Sequence, residues 1–155
     1  MKVLILGNGF SRLNKENFIN SWKGKIWICN QAYKEFKSFP RIDLLGTVHP
    51  WCISEAKDIA KNNNLNFEII TIDTFKKYLG YSTGNELINE AILRGYKDIY
   101  LLGFDSLDSP DNFDEDIYMG TIYIGNFLNQ LDTLIQRHNL ILKKVYKYIY
   151  NLKKM

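Results

Sequence analysis

The residues able to do chemistry fall in short polar clusters: Gly7-Asn8-Gly9-Phe10-Ser11, Asn30-Gln31, His49-Pro50-Trp51, Thr71 to Asp73, Ser82-Thr83-Gly84 and Gly103-Phe104-Asp105. Most directly follow an apolar run; Ser82-Thr83-Gly84 opens a helical one. Amides, hydroxyls and glycines dominate, and charges are few. Such a set suits hydrogen bonding to a sugar, phosphate or base better than it suits a cation. Gly7-x-Gly9 between a strand and a helix lets the backbone approach a phosphate or sugar in front of the helix N-terminus. The same pair serves equally as a tight turn. Ser82-Thr83-Gly84 supplies hydroxyls and N–H groups at a helix start, or is a plain N-cap. His49 is either a structural hydrogen-bonding residue or a base, since an unperturbed imidazole titrates near about 6.5.

Several chemistries are disfavoured by what is missing. Arg12 stands where a dinucleotide fingerprint has its third glycine, and Asn30 where an acid would hold an adenosine ribose, so NAD and FAD are not expected. The P-loop lysine pattern is absent. Two cysteines, Cys29 and Cys52, exclude a disulfide framework or a four-cysteine zinc site. The acids Asp108, Asp111, Asp114, Glu115 and Asp116 lack the glycine spacing of a calcium loop and read as a solvated loop, with a divalent-cation site as the alternative. No metal is expected at the site. His138, beside Asn139, reads as a helix C-terminal residue facing the dipole. Lys143, Lys144, Lys147, Lys153 and Lys154 read as a solvated strand face, with an anionic partner as the alternative.

The elements that must position these clusters alternate. Val3–Leu6, Lys25–Cys29, Asp43–Val48, Phe67–Thr71 and Ile99–Leu102 read as strands, with Leu140–Tyr148 as a sixth. Helical spacing follows Ser11, with shorter pieces at Ala32–Phe36, closed by Pro40, and at Glu55–Lys61, capped by Ser54. Asn85–Arg94 is the clearest helix, with Leu87, Ile88, Ala91 and Ile92 on its buried stripe and Gly95 as its stop. A last helix is predicted over Ile122–Arg137. This alternation predicts an α/β fold: a Rossmann-like open, mainly parallel sheet with helices on both faces. Ligands of such sheets bind outside the carboxyl ends of the strands, where the clusters fall.

Length and composition agree. A chain of 155 residues is expected to form one domain over 1–155, since one core usually serves about 100–200 residues. The net charge of +3 is too small to argue for a nucleic-acid partner. The N-terminal apolar run is too short for a span and lacks a cleavage site, so no membrane partner and a cytoplasmic, reducing location are expected. A homo-oligomer is compatible with the sequence.

Three segments together carry a resemblance. ILGNGFSRL resembles the AGNGPS opening of the bacterial CMP-sialic-acid-dependent sialyltransferases that decorate lipooligosaccharide. IWICNQAY is similar to their Cys-Asn-Gln-Phe-Tyr segment after the second strand. STGNELINEAILRGYKDIYLLGFD resembles their Ser-Gly helix followed by ALGYKEIYLSGID. The chain is also similar to small phage and bacterial proteins labelled sialyltransferase-like, in which a strand ends in His-Pro as at His49-Pro50.

The resemblance implies a glycosyltransferase-like protein with a site for a cytidine nucleotide or related nucleotide-sugar donor. By it, Asn8, Gly9 and Ser11, beside Gly7, would contact phosphate and ribose. Asn30, next to Gln31, would bind ribose or sugar, and Ser82, Thr83 and Gly84 would hold the nucleotide. Phe10 departs from the family's proline. The family's lid, which brings tyrosines and a histidine base, is reduced here to residues 106–118, with Tyr118 and no histidine. The base would then be His49 or Asp105, in a metal-independent displacement at the anomeric carbon without a further cofactor. A protein that captures a nucleotide without turnover, and a nucleotide-sugar hydrolase, are the alternatives.

Overall fold

Alternation along the first strand divides the core in two. β1 (Lys2–Leu6) turns Val3 and Ile5 to one face and Leu4 and Leu6 to the other, and all four are fully buried. A strand that is apolar on both sides belongs inside a sheet covered twice. The computed structural model, which describes residues 1–39, 41–108, 113–118, 122–124 and 126–155, has that sheet. β2 (Lys25–Cys29), β3 (Leu44–Gly46), β4 (Glu68–Ile70) and β5 (Asp98–Leu102) all run parallel with β1. β6 (Phe113–Glu115) and β7 (Ile122–Ile124) pair in a separate antiparallel ribbon. β8 (Leu140–Tyr146) and β9 (Ile149–Lys154) form a hairpin that joins the main sheet antiparallel to β5. The order is β4-β3-β2-β1-β5-β9-β8. The chain therefore builds outward from β1 to β4 and then returns to the other side of β1, which makes β1/β5 the switch point.

Helices cover both faces, as expected of an open Rossmann-like α/β sheet. On one face lie α3 (Thr83–Leu93), through Leu87, Ile88 and Ala91, and α4 (Phe127–His138), through Phe127, Leu131 and Leu134. On the other lie α1 (Glu16–Asn20), the 3-10 segment Asn30–Ser38 and α2 (Pro50–Asn62), through Ile19, Tyr33, Cys52 and Ala56. Cys29 and Cys52 are free and buried, and burial pushes the Cys29 thiol up to about 12. No helix among the described residues is long and apolar enough to cross a membrane.

Three elements differ from the sequence reading. Residues 122–124 are a strand rather than the start of the last helix, as suits the β-branched and aromatic run Ile-Tyr-Ile. α2 begins at Pro50 with His49 as N-cap, because proline needs no N–H partner in a first turn; Ser54 lies inside the helix. The sixth strand reverses and returns as β9, with Tyr148 in the left-handed region at φ +64°. His138 closes α4, and burial, with Arg137 and Lys154 nearby, holds its pKa below the usual histidine range. It is therefore a poorer cationic partner for the helix dipole than an exposed histidine would be. Pro40 and Asp111 lie outside the described residues.

Candidate functional site

The switch point is stitched by glycines. The Gly7 N–H donates to Leu102 O (2.8 Å) and the Gly9 N–H to Gly103 O (2.8 Å). A Cβ on Gly7 would stand 2.5 Å from the Gly103 carbonyl oxygen, and one on Gly9 2.7 Å from the Asp105 carboxyl. Gly103 has φ +84°. The Gly-x-Gly spacing thus lets the β1 and β5 loops touch each other. Asp105 secures the contact: one carboxylate oxygen accepts the Ser11 N–H (3.1 Å) and the other the Ser11 hydroxyl.

Arg12, only 2% exposed, occupies the position where a third glycine would permit close helix packing. Its Nε donates to Gly7 O (2.7 Å), and its two Nη groups grip the Glu35 carboxylate at 3.1 and 2.9 Å. Tyr118 joins through its hydroxyl, which accepts from Arg12 Nη2 (2.8 Å) and donates to Glu35. The Ile117 N–H donates to Asn8 O (2.9 Å), so residues 116–118 lie across the β1 loop. Asn8 is held as well. Its Nδ2 donates to Cys29 O (3.1 Å), and its Oδ1 accepts a longer bond from Arg12 (3.4 Å).

The second half of the rim centres on Asn30, whose backbone adopts φ +49°, a conformation that asparagine tolerates better than most residues. Its Oδ1 accepts from the Thr47 and Thr83 hydroxyls, both at 2.9 Å. Each hydroxyl in turn accepts a backbone N–H: His49 N to Thr47 Oγ1 (3.0 Å) and Val48 N to Thr83 Oγ1 (3.3 Å). Two donors on Oδ1 fix the amide orientation and leave Nδ2 without an acceptor among the described residues. The same holds for the Thr83 and Gly84 N–H groups in the first turn of α3, next to Asn30 through the Thr83 hydroxyl. Ser82 caps this turn by backbone geometry, its own N–H donating to Gln130 Oε1 (3.0 Å). Gly84 is required by packing, since a Cβ there would meet the Phe104 ring at 2.5 Å.

No protein-family model, curated protein or solved structure matches this chain.

The expected residues gather into two groups. Gly7, Gly9, Ser11 and Asp105 form the β1/β5 group, while Asn30, Thr83, Gly84 and the backbone of His49 form the β2/β3/α3 group. The Asn8–Cys29 bond joins the two. In the first group the polar side chains bond to each other; in the second, donors remain open. The His49 side chain is exposed, makes no hydrogen bond among the described residues and stacks on Trp51 (centroids 6.0 Å apart, 24° between planes). Gln31 is buried beside Asn30 and makes no side-chain hydrogen bond among the described residues. Thr47 and Glu35 were not among the sequence candidates, while Arg12 was read only as a missing glycine and Tyr118 only as the tyrosine of the reduced lid. Thr47 had a readable signal, a hydroxyl two residues before the histidine of a strand end. Glu35 pairs with Arg12 only through the fold. Among the described residues, no group of three or more His, Cys, Asp or Glu side chains could hold a metal ion.

Proposed function

We propose that the protein binds a nucleotide or nucleotide-sugar donor at this rim and acts as a sialyltransferase-like glycosyltransferase. The observation that carries the reading is Asn30, whose carbonyl is pinned by two threonine hydroxyls, one of them from the first turn of α3, and whose Nδ2 has no acceptor among the described residues. Donors gathered at a helix start favour a phosphate or a sugar oxygen. In the reaction, an acceptor hydroxyl oxygen bonds to the anomeric carbon as the bond to the nucleotide phosphate oxygen breaks. The hydroxyl proton passes to a base, and the nucleotide leaves as an anion. Both carboxylate oxygens of Asp105 are engaged by Ser11, so the base role falls to the exposed ring of His49, which makes no hydrogen bond among the described residues.

The His49→Ala variant tests the assignment. The exposed ring stacks on Trp51 and makes no hydrogen bond among the described residues, so thermal stability and nucleotide affinity are expected to stay near wild type. Donor cleavage should fall roughly 10²–10⁴-fold. A stable His49→Ala protein with full turnover would remove the base assignment. The engagement of Asp105 also favours a second reading, capture without turnover, in which the wild type binds nucleotide and cleaves no donor. Cleavage that needs no acceptor would indicate the hydrolase.

A further inference from the structure

At the amino ends of the strands, opposite the rim, lies a cleft of about 370 Å³ lined by Met1, Lys2, Lys23, Gly24, Lys25 and Arg41. Its size is at the small end of the range for small-molecule sites, about 300–1,000 Å³. Lys2, Lys23, Lys25 and Arg41 bring four cationic side chains to it. Asp43 balances only part of that charge: its Oδ2 accepts from Arg41 Nε (3.3 Å) and from the Ile26 N–H (2.8 Å), and its Oδ1 is 3.9 Å from Lys25 Nζ. Lys23 and the Nη groups of Arg41 have no hydrogen-bond or ion-pair partner among the described residues.

The wall of the cleft is fixed. The Lys2 ammonium sits 4.4 Å from the centroid of the Trp22 ring, and Trp22 Nε1 donates to Lys25 O (2.9 Å). A Cβ on Gly24 would stand 2.9 Å from both Lys2 Cγ and Trp22 Nε1, so the glycine lets this turn press against β1. Cations drawn into a concavity focus positive potential there, although Asp98, which pairs in register with Lys2 on β5, adds a second carboxylate near the same strand ends. Edge-strand protection, which explains lysines on β8, does not explain this convergence, because β1 and β2 are interior strands.

We propose that this cleft is a second binding site, for a small anion of the phosphoryl class carrying two or more charges. The Nη edge of Arg41, without a partner among the described residues, offers the paired donors that two phosphoryl oxygens accept, and the lysines add point charges. One strand length, roughly 16 Å, separates it from the rim, so the two sites can be assayed apart.

The test is a titration of the full chain with inorganic pyrophosphate, followed by backbone amide shifts at low and at high sodium chloride. Saturable shifts at residues 23–26 and 41, weakened by salt, are expected, and they should persist in Asn30→Asp. Any shifts at the rim report the nucleotide site and should be lost in that variant. The double variant Lys25→Ala/Arg41→Ala should bind at least about tenfold more weakly at the cleft. Should that variant melt early, Arg41→Lys keeps the charge and removes the paired donors, and it should also weaken binding. Absence of saturable shifts at 23–26 and 41, or wild-type affinity in a folded variant, would overturn the proposal.

Discussion

At the residue scale, Asn30 and Arg12 show how far one position can be read. Asn30 stood out as an amide at a strand end, and the structure adds its left-handed backbone and two hydroxyl partners. Arg12 stood out only as a missing glycine. Its partners Glu35 and Tyr118 are 23 and 106 residues away, and no local pattern reports such a contact. Because the guanidinium is buried and bonds to Gly7 O, Glu35 and Tyr118, Arg12→Gly would restore the glycine spacing yet orphan those groups. We expect it to cost about 3 kcal/mol in urea denaturation, as breaking a buried ion pair does, and to confer no NAD binding. A loss below about 0.5 kcal/mol, the scale of an unremarkable surface change, would show that the cluster is not structural.

At the element scale, α3 was the most legible helix because its apolar stripe is strict, and Leu87, Ile88 and Ala91 are fully buried as that stripe requires. The stripe could not show that its acids are buried too. Glu86 accepts the Leu79 N–H (3.1 and 3.2 Å) and the Tyr81 N–H (2.6 Å), and Glu90 accepts the Lys76 N–H (2.8 Å) and pairs with Arg94. These carboxylates fold the segment before α3 onto the helix, which places Ser82 and Thr83 at the rim. Burial raises the Glu86 pKa, partly offset by the N–H groups that face it. Glu86→Ala leaves those donors unpaired and should lower stability by about 1–3 kcal/mol, with a smaller loss for Glu86→Gln, which keeps an acceptor. Equal stability of the two variants in thermal melts would show that the acceptor is not what matters. The β8–β9 hairpin and the strand at 122–124 escaped the sequence for the opposite reason. The hairpin reverses at Tyr148, a residue without a turn signature, and the 122–124 strand is three residues long.

At the scale of the whole molecule, the alternation of strands and helices was enough to predict an open, mainly parallel sheet, because each strand is apolar on the faces that helices cover. Strand order was not legible; it follows from pairings distant in sequence, such as Leu6 with Leu102. That order makes β1/β5 the switch point and brings the loops carrying Gly7 and Gly103 together. It also sets two ends apart, an amide- and hydroxyl-rich rim at the carboxyl ends and a basic cleft at the amino ends. The central claim, that the rim binds a nucleotide, is tested most directly by thermal shift against nucleoside mono- and diphosphates and CMP-sugars, on wild type and Asn30→Asp in parallel. A nucleotide at 100 times its dissociation constant should stabilise the wild type by about 2.7 kcal/mol, which is roughly 5–10 °C for a chain of this size. Asn30→Asp, folded but with a carboxylate in place of the Nδ2 donor, should lose most of that shift. No shift with any nucleotide, or an equal shift in both proteins, would contradict the account.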